Sequence, residues 1–261
     1  MIIAGLTIAA MIIQIAYILP YSPLKKPEVP RYRGKSGNVF SAMVSNVLMK
    51  NRNCRDLIDL VKKNQPDLLL FVEPDHYWDN KLEILDQDYA YRVKYPLDNT
   101  YGMILFSKLP LKNIDIKFLY KEKIPSFHMD VVIGGLTFKL ICLHPEPPAP
   151  NEADSSLPRD RELTMVANKV KKNPHHSYLV MGDLNDVAWS DTSYNFRKIS
   201  GLKDPRVGRG FYNTYHAKIP FMRWALDHVF VTEDFKLIKI KRMPAVGSDH
   251  FPIHVQFGLK E

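Results

Sequence analysis

Met181-Gly182-Asp183-Leu184-Asn185 is the stretch on which the reading of this chain turns. It follows Ser177-Tyr178-Leu179-Val180, a short β-branched and aromatic run of the kind that makes a buried strand. Gly182 lets the backbone turn, and Asp183 and Asn185 emerge together at the strand's C-terminal end. Residues two positions apart on an extended segment point to the same side, so a carboxylate and an amide sit side by side. Such a pair can hold a water and a phosphate oxygen, or simply close a turn by Asx bonding. The company it keeps separates these readings. Glu73, His144, Asp227 and Ser248-Asp249-His250 each fall at or near the end of another strand-like run.

Working outward, Asn38 to Val47 reads as a strand ending at Ser45-Asn46-Val47. Cys54 to Lys63 carries Leu57, Ile58 and Val61 at helical spacing and stops at Gln65-Pro66. Asp67 to Glu73 is continuously apolar, Leu-Leu-Leu-Phe-Val, as a strand covered on both faces would be, and it closes on a carboxylate. Pro74 breaks that strand, and a helix is expected over His76 to Leu85. Tyr89 to Leu143 is strand-rich, with Gly134-Gly135 as a hairpin signal between its last two runs. His144 follows, then Pro145, Pro147, Pro148 and Pro150, a loop stiff enough to hold the imidazole at a sheet edge.

Arg159 to Lys172 reads as a helix with Leu163, Val166 and Val170 inward. The stretch between Asn185 and Tyr215 is polar and is expected to be irregular. Asp227 opens a strand through Val231, and Gly247-Ser248-Asp249-His250 precedes the closing strand Ile253 to Phe257. Helices alternate with strands early and hairpins fill the middle. That order implies an α/β (α+β) domain of two packed sheets with helices outside. No Gly-x-Gly-x-x-Gly or Gly-Lys-Ser/Thr loop is present to cradle a nucleotide.

The chain has 261 residues, 46% of them hydrophobic, which suits one sizeable core. Cys54 and Cys142 have no metal-ligand spacing and read as buried thiols. Residues 1–20 carry no charge and are dominated by Ile, Ala, Leu and Met. Nineteen residues of helix span roughly 28 Å, close to the hydrocarbon thickness of a bilayer. No basic stretch precedes the apolar run and no small-x-small site follows it, so a transmembrane anchor is preferred over a cleaved signal peptide. Lys25, Lys26, Arg31, Arg33 and Lys35 follow it. Taken alone they place the body on the cytoplasmic side, yet the side is left open here.

Residues 21–37, rich in proline and basic residues, are expected to be an extended linker lifting the domain off the membrane. The formal net charge of +8 then belongs to linker and domain. A basic surface beside a bilayer suits anionic lipid headgroups, nucleic acid or a phosphate substrate.

Taken together, the pieces resemble the endonuclease/exonuclease/phosphatase superfamily, the DNase I-like fold. They are Ser45-Asn46-Val47, Pro66-Asp67 with Glu73, Tyr101 to Pro110, Leu143-His144, Gly182-Asp183-Leu184-Asn185, Leu226-Asp227-His228 and Ser248-Asp249-His250-Phe251-Pro252. They stand in the family's order across residues 38–259. Leu184 stands where the family usually has phenylalanine. The proline-rich loop and the anchor look like a bacterial, membrane-attached branch, which implies a single-pass protein of the plasma membrane. The resemblance implies a DNase I-like four-layer sandwich, two packed mixed β-sheets flanked by helices, with an N-terminal transmembrane helix added.

It also implies a site. Glu73, with Asn46 and Asp249, would hold Mg²⁺ or Mn²⁺ through oxygen ligands, the donors those ions prefer. His250 would be a general base or a phosphate-binding imidazolium, oriented by Asp227. Asp183 is the competing base, Asn185 a donor to a non-bridging oxygen, and His144 a second acid or donor. Lys108, Arg223 and Asn99 are further candidates for phosphate contacts.

The activity implied is hydrolysis of a phosphodiester or phosphomonoester by in-line attack of water, with a lipid-linked phosphate favoured by the anchor and nucleic acid by the basic charge. A catalytically retired binding domain on the same fold is the alternative of a different class. The partners expected are a phosphate-ester substrate, the membrane through the N-terminal helix and, as a further candidate, nucleic acid; the oligomeric state is not fixed by the sequence, a monomer being the expectation.

Overall fold

Strand β1 (Asn38–Asn46) shows how this sequence builds two cores at once. Phe40, Ala42 and Val44 face one side, Met43 the other, and all four are buried. β2 (Leu68–Val72) repeats the pattern and accounts for its unbroken apolarity. Leu68, Leu70 and Val72 enter the core between two sheets. Leu69 and Phe71 pack beneath α2 (Cys54–Asn64) and α3 (His76–Leu82) with Leu57, Val61, Trp78 and Leu82. The computed structural model describes residues 2–34, 38–149 and 152–259. Lys35, Ser36 and Gly37 of the expected linker, and Pro150 of the proline-rich loop, lie outside the described residues.

The first sheet has six strands in the order β10 (Phe235–Arg242), β11 (Ile253–Leu259), β1, β2, β4 (Met103–Ser107) and β3 (Tyr91–Tyr95). The second has five, β5 (Leu111–Lys117), β6 (Ser126–Ile133), β7 (Leu136–Leu143), β8 (Tyr178–Asp183) and β9 (Asp227–Val231). The β1–β2 and β7–β8 pairs are parallel and the other pairs antiparallel, so both sheets are mixed. On the outer face of the second sheet, α4 (Leu157–Lys172) buries Leu163, Val166 and Val170 against Ile141, Val180 and Phe230. The result is helix, sheet, sheet, helix, as the sequence implied.

Two expectations need correction. The polar stretch after Asn185 is not all irregular, because Asp191–Ser200 forms a helix, α5. Ser190 caps its start by accepting from Ser193 N, and Gly201, with φ 75°, closes its end on Arg197 O. Phe196 is its one large residue buried against Phe230, too sparse an apolar stripe to show periodicity.

The second concerns residues 21–34. They do not lift the body away; they run along it. Tyr21 is buried with Ala188, Val207 and Ala225, and Val29 joins the core between the sheets. Glu28 accepts from Arg197 Nη2 at 2.6 Å and from Asp204 N at 3.1 Å. Leu237 bonds the backbone on both sides of Arg31, donating to Pro30 O and accepting from Tyr32 N. Gly208, with φ 74°, lies so close to Lys25 O and Pro27 that no side chain fits. Composition suggested a free linker, but Tyr21 and Val29 are apolar enough to find pockets.

The apolar N-terminal run forms α1 (Ile2–Ile18), followed by a 3₁₀ turn, Leu19–Tyr21. Over Ile3–Tyr21 the mean hydropathy is 2.0, and Ile3 to Ile18 lie exposed along their length. Removing residues 1–18 should therefore leave the body intact, whereas removing residues 1–34 strips buried contacts. Deleting an aromatic from a packed site costs about 3–5 kcal/mol. The longer truncation should melt lower than the shorter by about 6–20 °C in a thermal scan. Equal midpoints would mean that the Tyr21–Val29 contacts contribute nothing.

Candidate active site

The site lies at one end of the two sheets, where β1, β2, β7 and β8 finish and β9 begins. Register places its members. Asn46 pairs with Val72, one residue before Glu73; Leu143, one before His144, pairs with Gly182; and Asp183 pairs with Asp227 across β8 and β9. Gly182 is required there, since with φ 150° its absent side chain would run into Leu143 O of the neighbouring strand. That close approach brings the ends of β7 and β8, and thus His144 and Asp183, side by side. Glu73, past the end of β2, has φ 65° and is held there by its N–H to Gly102 O at 3.0 Å.

Asn46 joins two carboxylates. Its Nδ2 donates to Glu73 Oε1 at 2.7 Å and Asp183 Oδ2 at 3.0 Å, while its Oδ1 accepts from Leu48 N at 2.9 Å. The other Glu73 oxygen accepts from Met49 N at 3.3 Å. His250 sits between two carboxylate oxygens, with Nδ1 at 2.8 Å from Asp227 Oδ2 and Nε2 at 3.5 Å from the same Asp183 Oδ2 that Asn46 meets. A carboxylate at each nitrogen favours the imidazolium. Burial alone would lower the His250 pKa, but Asp227 and Asp183 push it up to about 10. Burial works against the Asp183 carboxylate as well, yet His250, His144 and the Asn185 N–H hold it below the usual range. Glu73 goes the other way, pushed up to about 7 by burial, with Asp183 adding repulsion. Burial lowers the His144 pKa, with Asp183 opposing it, and the ring lies 5.5 Å from that of Tyr101.

A second row of residues fixes these, and sequence reasoning missed it. Arg206, wholly buried, forks onto Asp204 with Nη2–Oδ2 at 2.8 Å, and its Nη1 donates to Asp227 O at 3.3 Å. Arg206 Nη2 also lies 2.7 Å from His228 Nδ1, and His228 Nε2 lies 2.8 Å from Asp186 O. Those partners fix a neutral His228 that accepts from arginine and donates to a carbonyl; its pKa falls to about 3, through burial and then Arg206. Thr214 Oγ1 accepts from Asp227 N at 3.2 Å. Arg159 Nη1 donates to Asn185 O at 2.6 Å and lies 3.3 Å from Asp186 Oδ1, clamping the loop after Asp183. Asp204-Pro205-Arg206 and Thr214 gave no local signal, since they lie in the stretch read as irregular.

Of the expected site residues, Asn46, Glu73, Asp183, Asp227 and His250 are joined by direct contacts, and His144 stands beside Asp183. Asn185 differs from expectation. With φ 50° its side chain is not set parallel to that of Asp183; its Nδ2 donates to Pro145 O at 3.0 Å and its N–H to Asp183 Oδ1 at 3.0 Å. The expected metal set differs too. Asn46 turns its amide nitrogen, not its oxygen, to the carboxylates. Asp249 is half-buried with its nearest hydroxyl, Ser248 Oγ, at 3.4 Å, and no described contact joins it to Glu73 or Asn46. Lys108 lies at the far end of β4 and donates to Gln65. Asn99 accepts from Tyr101 N at 3.1 Å, and Arg223 stacks over Phe251 at 5.0 Å.

The donor set fits a hard divalent cation. Glu73 Oε1 faces Asp183 Oδ2 across the Asn46 amide nitrogen, a pairing of carboxylate oxygens of the kind such ions take as ligands. Carboxylate oxygens of Asp183 and Asp227 lie within 4.8 Å of one another in a buried cluster with His250, and among the described residues Asp227 Oδ1 has no hydrogen-bond partner.

A family model described as the Endonuclease/Exonuclease/phosphatase family matches residues 43–250. The fold is similar to that of D. rerio TDP2 complexed with single strand DNA product, with a TM-score of 0.70 at 17% identity over 84% of this chain and 99% of that one. It is similar to the human Nocturnin catalytic domain with bound sulfate anion, with a TM-score of 0.69 at 15% identity over 86% and 96%. It also resembles Staphylococcus aureus beta toxin 275-280, with a TM-score of 0.62 at 16% identity over 83% and 99%. At such identities the likeness is one of fold, and it is the DNase I-like sandwich. No curated protein matches the chain in sequence.

Proposed function

The chain belongs to the endonuclease/exonuclease/phosphatase family of phosphoester hydrolases, and from that premise we propose a divalent-metal-dependent phosphoesterase held at a membrane by α1. The observation that carries the proposal is the His250 imidazole between Asp227 and Asp183, beside Glu73 and Asn46. A phosphodiester repels anionic nucleophiles, so its hydrolysis needs positive charge at the phosphate and a water aligned opposite the leaving oxygen. Glu73 would hold Mg²⁺ or Mn²⁺, which would supply Lewis-acid charge at the phosphoryl group.

The chain's own residues divide the remaining work. His250, with a carboxylate at each nitrogen, has no free lone pair for a proton, so it serves as a hydrogen-bond donor to phosphate. The proton of the attacking water goes to Asp183, whose Oδ2 faces Asn46 and His250. Asp227, pinned at its backbone by Thr214 and Arg206, sets the imidazole's orientation. His144, beside the same carboxylate, donates to a second phosphate oxygen. Asn185 acts chiefly by tying the Asp183 loop to Pro145.

For the substrate, the exposed apolar helix favours a phosphoester carried by a lipid, since tethering keeps the site close to a bilayer. The net charge of +8 favours a second reading, a nucleic-acid phosphodiester, and one fold relative is a TDP2 complexed with single strand DNA product. The test is a panel of plasmid DNA, RNA, phospholipids and polyprenyl diphosphates, each with Mg²⁺, Mn²⁺ or chelator. Activity should vanish in chelator. Glu73→Gln should raise the metal concentration for half-activation by about tenfold or more with the fold intact. Full activity in excess chelator would overturn the metal assignment.

A further inference from the structure

We propose that the hairpin Tyr215–Trp224, tipped by Phe221 and Met222, is a second contact with the bilayer that α1 enters, so that the catalytic end of the sandwich faces the lipid surface and takes phosphoesters at headgroup depth. The proposal rests on the reading of α1 as embedded in that bilayer.

The point where α1 leaves the body decides the orientation. Tyr21, at the foot of the helix, is buried with Ala188, a few residues past Asp183, and with Ala225, just before Asp227. From there the chain runs away from the site. Glu28 reaches Asp204 N, next to Lys203, which pairs with Val231 at the far end of β9. Pro30 and Tyr32 bond Leu237, two residues from Phe235, whose partner Leu259 faces Asn38 at the start of β1. The helix therefore rises from the same end of the sheets as the active site. Tyr17 near its foot donates to Asp191 at 2.9 Å, and Trp189 and Tyr194 line the same cleft, placing aromatic rings where a membrane boundary would favour them. Because Tyr21 and Glu28 are packed, the body does not swing on a loose tether.

The hairpin stands between that foot and the mouth of the site. Tyr215 and Trp224 pair at its base, and Ala225 continues into the cluster around Tyr21. On the other side the Tyr215 ring lies 4.9 Å from that of His250, and Ala217 N donates to Asp249 O at 2.6 Å. Its tip is the wrong chemistry for water. Phe221 is 87% exposed and Met222 44%, and Leu24 near the foot of α1 is also 87% exposed. Lys218 and Arg223 flank the tip, and Lys25 and Lys26 follow the helix. An apolar tip between cations matches the acyl and headgroup layers of an anionic bilayer. Two attachments on one end of a rigid body fix its orientation where one would not.

The test uses the full chain in vesicles of phosphatidylcholine and phosphatidylglycerol. Phe221→Cys, labelled with an environment-sensitive fluorophore, adds an exposed thiol to a protein whose two cysteines are buried. The protein should float with the vesicles, and the label's emission should shift to the blue and be quenched by nitroxides on lipid near the headgroups. Flotation with a water-like emission overturns the second contact alone. Failure to float overturns the anchor and this proposal with it. A blue shift that lipid nitroxides do not quench means that protein covers the tip, which also overturns it. In activity, Phe221→Ser with Met222→Ser should lose about tenfold on a phosphoester carried in the same vesicles and keep its turnover on a soluble phosphodiester. Equal losses on both substrates would place the hairpin in the catalytic machinery rather than at the bilayer.

Discussion

Asp183→Asn should lower turnover on whichever phosphoester the protein hydrolyses by about 10³-fold or more, with little change in KM. The substitution keeps shape, and with its oxygen in the Oδ1 position the amide still accepts from Asn185 N, so the loop after β8 should hold, while the bond from Asn46 Nδ2 to Oδ2 is lost. What it removes is the negative charge and the lone pairs that take a proton. Asp183 is also where the two sheets meet in the site: from the end of β8 in the second sheet it contacts two residues carried by the first, Asn46 at the end of β1 and His250 ahead of β11. No neighbour is placed to substitute for it, because Glu73 is tied to Asn46 and Met49 and Asp227 to His250. Single-turnover rates and thermal midpoints of wild type and variant decide the matter. A correctly folded Asp183→Asn within tenfold of wild type would remove Asp183 from the proton transfer.

Much of this arrangement was legible because strand ends mark themselves. Glu73, His144, Asp183, Asp227 and His250 each sit beside a glycine, a proline or an apolar run, and the sheets bring those ends together without further information. The clamps behind them were not legible. Arg159 reaches Asn185 from the first turn of a helix, and Arg206 reaches Asp227 and His228 across the second sheet's edge. A buried arginine has no local signature, since its partners are set by tertiary packing. The same holds for Tyr21 and Val29, which a proline-rich and basic composition disguised as part of a spacer. Asn185 departs from the alternation for a local reason: that rule holds on extended backbone, and β8 ends at Asp183.

Asp227→Asn and His250→Ala are each expected to cut turnover by about 10²–10⁴-fold, and the double variant to lie within about tenfold of the worse single one. The reason is that the two side chains perform one task. Asp227 Oδ2, 2.8 Å from Nδ1, supports the charge on His250 and keeps the opposite nitrogen directed toward Asp183 and the phosphate position. Without Asp227 the imidazole can lose its proton or turn; without His250 the Asp227 carboxylate has nothing to orient. Asp227 itself should stay in place in the His250→Ala variant, because Thr214 and Arg206 hold its backbone from behind. Burial pushes the Asp227 pKa up and His250 counteracts it, so His250→Ala leaves a carboxyl that favours the protonated form. That variant should therefore fold, and its loss should be one of rate rather than of stability. The measurement is a double-mutant cycle of kcat/KM at saturating metal, with melting curves for all four proteins. Losses that multiply in the double variant, on proteins that melt alike, would mean that Asp227 and His250 act independently and that the carboxylate–imidazole pair is not the unit that carries the charge.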